Sequence, residues 1–314
     1  MKKYLLLILD GAGDLARFNG LTPLQLSKLD NINKLSSKGF GGLMETLYDD
    51  LPKGSIVAQL GILGYDPYKY YPNGRASCEG LALGIKMDKN DVAFRANLSQ
   101  IDGDILRSFN ANYIKSELSK PLIKKLNSKL SQSFPDFELH HNSDFRNTLI
   151  IRNSDIPATE FQCIEPHENM GKEFNFSHLV SSDSSNESET LRRLNNYVLK
   201  TKEILAGEKA NIIFPWSPSS KLDLPKFTLP FPGKSAIIAH MDFLKGIAIS
   251  SGIDFFQRGN GNWDTDYNSK LEKIIELFDS GYSFVYCHVN GPDEASHMGD
   301  VQKKKYSLEM SDKE

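Results

Sequence analysis

The chain has 314 residues, 39% of them hydrophobic and 25% charged, with 37 basic against 40 acidic side chains and a formal net charge of −3. At ~100–200 residues per domain this is one large domain or two ordinary ones, long enough to bury a core without disulfides or a structural metal. The balanced charge leaves no electrostatic footprint for nucleic acid, and three scattered cysteines (Cys78, Cys163, Cys287) form neither a disulfide framework nor a paired metal spacing.

The apolar run Tyr4 to Leu9, closed by Asp10-Gly11, reads as a short buried parallel strand. It falls below the ~7–15 apolar residues of a secretory core. No stretch approaches the ~20 residues of a membrane span. With few cysteines, a reducing compartment, the cytoplasm, is the expected location. "TPLQLSKLDNINKLSSKG" (22–39) places Leu24, Leu26, Leu29, Ile32 and Leu35 behind Pro23 and ahead of Gly39, which is helix punctuation. A strand is expected at 41–47. "GSIVAQLGILGY" (54–65) reads as a turn into an apolar helix. Alternating strands and helices imply a parallel α/β sheet.

From about residue 90 the texture changes. "DVAFRANLSQIDGDILR" alternates around an Asp102-Gly103 turn, as a hairpin does. "YIKSELSKPLIKKLNSKLSQ" reads as a helix interrupted by Pro121, and "FELHHNSDFRNTLIIRN" as further strands. The polar "SSDSSNESE" (181–189) reads as a linker or helix lead-in. Beyond it, "TLRRLNNYVLKTKEIL", "ANIIF", "SAIIAHMDFLKGIAISSG", "SKLEKIIELFDSG" and "YSFVYCHV" restore the helix–strand alternation. The economical interpretation is an α/β core built from both ends of the chain, residues 1–87 and 183–314, with an α+β domain inserted at 88–182.

Ligands bind at the carboxyl ends of strands in open α/β sheets. Asp10 ends the first strand and Asp293 follows the last, so both carboxylates are expected at one sheet edge. Asp293 and His297 stand at i, i+4, which puts an oxygen and an imidazole nitrogen on one helix face. That pair suits a divalent ion with mixed ligands; the same spacing also describes a solvated face with an acid near the helix dipole. Ser55, after Gly54, reads as an N-cap or as a nucleophile at a phosphate-binding helix start. Arg75, Arg95 and Arg146 are surface arginines or forks for phosphate and carboxylate. His167, in "EPHENMGK", is a candidate ligand contact in a loop.

Taken together, "LLLILDGAGD", "LTPLQLSKLDNINKLSSKG", "KGSIVAQLGILGYDPYKYY", "NGRASCEGLALGI", "DVAFRANL", "EPHENMGK", "SAIIAHMDFLKGIAISSG" and "PDEASHMGD" resemble, in order and across nearly the whole chain, the cofactor-independent phosphoglycerate mutases of the archaeal type, within the alkaline phosphatase superfamily. The resemblance implies a three-layer α/β/α core with a mostly parallel sheet and a smaller inserted α+β domain. It implies interconversion of 3- and 2-phosphoglycerate through a phosphoserine at Ser55, with no 2,3-bisphosphoglycerate required. It implies two divalent metal ions, manganese first, with zinc, cobalt or magnesium as alternatives. Asp10 and Ser55 would ligate one ion, Asp293 and His297 the other. Arg75, Arg95, Arg146 and His167 fall in matching segments and become candidate contacts to a small phosphorylated substrate.

Departures from the family pattern set a second expectation. Ile56 and Gln59 stand where an acid and a histidine are usual, "PWSPSS" (215–220) replaces a basic or Trp-Gly segment, and "DFRN" replaces a tyrosine-arginine-histidine run. The family's further Asp-His pair and last histidine have no counterpart among the seven histidines here. Weak metal binding and impaired activity are therefore expected. Another phosphotransferase or phosphohydrolase activity, or a non-catalytic paralogue, is the alternative, since fold does not fix function.

Overall fold

The computed structural model describes residues 2–182, 188–230 and 232–314. Its strands are β1 (Tyr4–Leu9), β2 (Val92–Asp102), β3 (Ile105–Ser108), β4 (Phe137–Ser143), β5 (Arg146–Ile151), β6 (Phe161–Gln162), β7 (Ser181–Ser182), β8 (Ile212–Ser219), β9 (Lys234–Ala239), β10 (Asp254–Gln257) and β11 (Tyr282–Val289). Its α-helices are α1 (Pro23–Leu26), α2 (Asp30–Ser36), α3 (Ser55–Ile62), α4 (Pro67–Tyr70), α5 (Ala76–Ala82), α6 (Ser116–Leu130), α7 (Glu189–Ile204), α8 (Asp242–Ser251), α9 (Tyr267–Asp279), α10 (Gly291–His297) and α11 (Val301–Lys313).

The chain forms two compact units. The first is residues 1–53 with 224–314, and the second is residues 54–223. The first unit is thus built from both ends of the chain, but the breaks differ from the expected 87/88 and 182/183. Two packing facts account for the difference. β8 pairs antiparallel with β2 from Ala93–Ser219 to Ser99–Ile212, and α7 packs on β8. At the other end α5 packs on β2 and β8. Elements read as core are therefore held by the antiparallel sheet.

In the first unit a four-stranded parallel sheet has the order β1-β11-β9-β10. The chain goes outward from β9 through α8 to β10, then back through α9 to β11. Right-handed crossovers in opposite directions place their helices on opposite faces, which gives the three layers. On the α9 face, Ala236, Ile238, Val285, Cys287 and Val289 pack with Ile274 and Leu277. Glycines end these helices as the sequence implies. Gly252 caps α8 in the left-handed region, and Gly281, also left-handed, follows α9.

The second unit holds an antiparallel sheet, β3-β2-β5-β4 with β8 on the other side of β2, and a small β6-β7 pair. The β2–β3 hairpin turns at Gly103, whose φ is +60. One sheet face and α6 and α7 enclose a core that includes Phe94, Leu98, Leu126, Leu149, Leu194 and Tyr197.

Three local expectations change. The predicted strand at 41–47 is absent: the segment pairs with no strand, and Phe40 and Leu43 are fully exposed. The helix over 22–39 is two helices. Thr22 and Gln25 close a capping box on α1, which ends at the extended Ser27. α6 runs through Pro121 without a break. The linker at 181–189 lies mostly outside the described residues, but Ser188 caps α7 through Leu191 N.

Candidate functional site

Each unit gathers a different set of chemical groups. In the first, β1 and β11 run parallel in register, Leu9 beside Val289, so the chain leaves both strands at the same edge. Asp10 N–H still donates to Val289 O at 2.9 Å. Gly11 then turns with φ +70, and a Cβ there would sit 2.4 Å from Asp293 Cα. Only glycine lets the Asp10 turn come this close to α10. Lys304, almost fully buried, holds the next residues by donating to Gly13 O (3.0 Å) and Asp14 Oδ2 (2.8 Å).

The structure thereby brings Asp10 and Asp293 together. Burial, and then the Asp10 charge, raise the Asp293 carboxyl above its ordinary value, with His297 and His288 opposing. His297 Nε2 lies 3.4 Å from Asp293 Oδ2 across one turn of α10, with its ring largely exposed. A fourth group was missed in the sequence. His288, 1% exposed, places Nε2 3.1 Å from Asp10 Oδ2, while its Nδ1 is buried without a hydrogen-bond partner. The available signal was a histidine at the carboxyl end of an otherwise apolar parallel strand. Two facing carboxylates with imidazoles beside them form a mixed oxygen–nitrogen donor set that fits a divalent cation.

Ser55 opens α3 in the second unit. It is the first helical residue, not the cap: Gly54 occupies the cap position and no side chain closes it. This corrects the cap reading. Among the described groups the Ser55 hydroxyl has no hydrogen-bond partner, so its oxygen is not engaged in holding the helix.

All four predicted contact residues of the second unit fall in one cluster. On β2, β5 and β8, Arg95 is opposite Trp216 and Thr148, and Asn97 is opposite Arg146. Facing cross-strand residues share a sheet face. The Arg95 guanidinium lies over the Trp216 ring at 4.4 Å. Trp216 Nε1 donates to Asn97 Oδ1 at 3.1 Å, and the His167 ring packs on Trp216 at 5.5 Å. Arg75 joins through Glu79, whose two carboxylate oxygens each lie 3.2 Å from an arginine Nε, one of Arg75 and one of Arg95. Burial pulls Arg95 down to about 10; Glu79 opposes the shift, and Arg75 and Arg146 add to it. Glu79 and Trp216 were not singled out in the sequence. The i, i+4 spacing of Arg75 and Glu79 was the readable clue for the first. The second depends on β2–β8 pairing across more than a hundred residues. Cys78, beside Glu79 on α5, is fully buried, and burial pushes its thiol up to about 12.

Exposed Glu165, His167 and Glu168 bring potential ligand atoms within 4.8 Å of one another, the one such group of three among the described residues. His167 Nε2 lies 3.2 Å from Glu165 Oε2, so this histidine has an acidic neighbour as well as an aromatic one. No helix of the described residues is long and apolar enough to cross a membrane.

The model of one protein family, 2,3-bisphosphoglycerate-independent phosphoglycerate mutase, matches residues 36–211. A protein of Methanosarcina barkeri described by the same words is 32% identical over 99% of this chain and 79% of its own length. One from Sulfolobus acidocaldarius, again so described, is 29% identical over 100% and 79%. Among solved structures, a Pyrococcus horikoshii protein superposes with a TM-score of 0.76 at 25% identity, covering 99% of this chain and 76% of the other. The cofactor-independent phosphoglycerate mutase of Thermoplasma acidophilum gives 0.63 at 24%, covering 100% and 82%, a likeness of fold.

Proposed function

This chain belongs to the 2,3-bisphosphoglycerate-independent phosphoglycerate mutase family, and from that premise we propose that it interconverts 3-phosphoglycerate and 2-phosphoglycerate through a phosphoserine at Ser55. The observation that carries the proposal is a match at 32% identity over 99% of the chain. Two structural facts support it: a hydroxyl with no structural duty at the start of α3, and a cluster of arginines on one face of the second unit's sheet.

In this reading Arg75, Arg95, Arg146 and His167 bind the charged groups of the phosphoglycerate, because guanidinium forks match carboxylate and phosphate. The Ser55 hydroxyl gives up its proton and its oxygen bonds to phosphorus. The bond from phosphorus to the 3-oxygen of glycerate breaks, and that oxygen takes up a proton. The glycerate stays bound, reorients and presents its 2-hydroxyl. That oxygen then attacks phosphorus, losing its proton; the bond from phosphorus to the Ser55 oxygen breaks, and that oxygen takes up a proton to restore the hydroxyl. Asp10, Asp293 and His297 in the first unit and Ser55 in the second are the proposed ligands of divalent ions, manganese first; such ions, when bound, would ease ionisation of a hydroxyl and neutralise phosphoryl charge. His288 keeps the Asp10 carboxylate oriented, as outer-shell partners of metal ligands do.

A catalytic ion normally keeps about three protein ligands. Asp10, Asp293 and His297 gather in the first unit as candidate donors for such an ion. Its unpaired cysteines suit a cytoplasmic location. The test is to incubate the purified chain with manganese and 3-phosphoglycerate, measure bound metal, and identify the products. Formation of 2-phosphoglycerate, even slowly, supports the mutase. Free phosphate as the sole product would replace it with a phosphohydrolase. Turnover by the Ser55→Ala variant at the wild-type rate would remove the phosphoserine.

A further inference from the structure

We propose that Glu79 is a positioning residue: by bridging the Nε edges of Arg75 and Arg95, it sets both guanidinium forks for an anionic ligand. The inference rests on the reading of the arginine cluster as the phosphoglycerate site.

A guanidinium carries five N–H donors, one on Nε and four on the terminal nitrogens. Glu79 takes the Nε side of each arginine at 3.2 Å. Among the described residues, no protein group accepts a hydrogen bond from the terminal nitrogens of either. Those nitrogens form the pair of parallel donors that grips a carboxylate or phosphate bidentately. Glu79 is itself fixed. It lies on α5, which packs against β2 and β8, and its side chain is 13% exposed. Trp216 closes the other side of Arg95. Arg95 is thus held on its edge by a carboxylate and on its face by an indole, whereas Arg75, 37% exposed, has the carboxylate alone among the described residues. Without Glu79, Arg75 would lose the one ion pair it makes among the described residues, and the nearby positive charges would push the arginines apart.

Charge counting and positioning predict opposite signs. Removing an acid beside three arginines leaves a more positive site, which on Coulomb's law alone draws an anion more strongly. If Glu79 instead arranges the donors, its loss weakens binding although the site becomes more positive.

The experiment measures 3-phosphoglycerate affinity by calorimetry on the full chain, with thermal midpoints recorded for every variant. Expected are a rise in Kd of about tenfold for Glu79→Gln, equivalent to ~1.4 kcal/mol, and near-complete loss for Arg95→Met. Glu79→Asp keeps the charge but is one methylene too short to span both arginines. It is expected to weaken binding by about threefold or more, and it decides the matter if the Gln variant does not fold. Unchanged or tighter binding by a folded Glu79→Gln, with Arg95→Met still deficient, would overturn the positioning role and leave the arginine site standing. Wild-type affinity in Arg95→Met, or no binding by the wild-type chain, would overturn the arginine site itself, and the role of Glu79 with it.

Discussion

Gly11 sets how closely the Asp10 turn approaches α10, and replacing it by alanine tests that spacing directly. The new Cβ would lie 2.4 Å from Asp293 Cα, 2.7 Å from its N and 2.8 Å from its Cβ. Two of these are backbone atoms, which cannot swing aside as a side-chain tip does. The left-handed conformation adds ~1–2 kcal/mol for a residue with a Cβ, and forcing atoms into a filled space adds ~1–3 kcal/mol. Alanine restricts the unfolded chain, which returns ~0.4–1 kcal/mol. The net expectation is a loss of about 1–4.5 kcal/mol from the first unit. Gly20→Ala is the control. It has φ +77 and nothing within 4 Å of its would-be Cβ, so it should cost only ~1 kcal/mol. The difference between the two variants isolates the clash. The assay is urea unfolding followed by Trp263 fluorescence in a Trp216→Phe background, which reports the first unit alone. A manganese titration accompanies it. Gly11→Ala should bind the ion at least about tenfold more weakly, a loss of ~1.4 kcal/mol, because Asp10 is pushed away from Asp293. Equal stability of the Gly11 and Gly20 variants, with unchanged manganese binding, would show that the close approach is not what holds the two carboxylates together.

Three other outcomes are expected. Ser217, at φ 52, is the left-handed residue in the β8 bulge, where Ser217 and Pro218 lie between the Ala93–Ser219 and Arg95–Trp216 pairs; Ser217→Gly should stabilise the second unit by about 0.5–1 kcal/mol, read as a higher urea midpoint of Trp216 fluorescence. Ser55→Ala should leave the urea midpoint within ~0.5 kcal/mol, because Gly54 is the cap, while abolishing phosphoryl transfer measured with 3-phosphoglycerate. The third concerns acid. Arg152 joins Asp91 (2.6 Å) to Glu138 (2.8 Å). Burial alone would raise Asp91, but hydrogen bonds from Asp88 N–H, Arg152 and Asn153 N–H outweigh it and hold the carboxyl below 3.8. The Arg152 hydrogen bond likewise holds Glu138 below 4.5. Both folded values are depressed, so the stabilisation is fully present above the unfolded values and is lost as pH falls through the folded ones. Urea midpoints of the second unit should decline below about pH 4.5, and Asp91→Asn should flatten that decline.

What the sequence made legible follows the range of the interactions involved. Helix ends are local events, so Gly252 and Gly281 mark α8 and α9 without reference to the rest of the chain. The ends of parallel strands are nearly as local: an apolar run closed by Asp10-Gly11 or Asn290-Gly291 declares both the strand and the edge at which it stops. Asp10 and Asp293 were therefore visible. Strand pairing is not local. The segment 41–47 has strand-like composition but finds no neighbour, and without a partner its backbone remains in loop form. Conversely, β8 reads like one more strand of the parallel sheet, yet it pairs antiparallel with β2, and the unit boundary moves with it.

The same logic separates the groups that were found from those that were not. Arg75, Arg95, Arg146 and His167 stood out because arginine and histidine advertise their chemistry in any context. Glu79 and Trp216 read as an ordinary helix-face acid and strand aromatic, until pairing sets Trp216 beneath Arg95 and α5 brings Glu79 to its edge. His288 was hidden by the opposite effect, since a residue within an apolar strand is read as core, and it is indeed 1% exposed. Its buried, unpartnered Nδ1 is what distinguishes it from a core histidine. A buried polar atom without a partner is costly, and a fold that keeps one beside two carboxylates is using the imidazole for its other nitrogen, which faces Asp10. Sequence types name the groups that meet a ligand. The groups that hold them in place are named by contacts, and those emerge only once the sheets have formed.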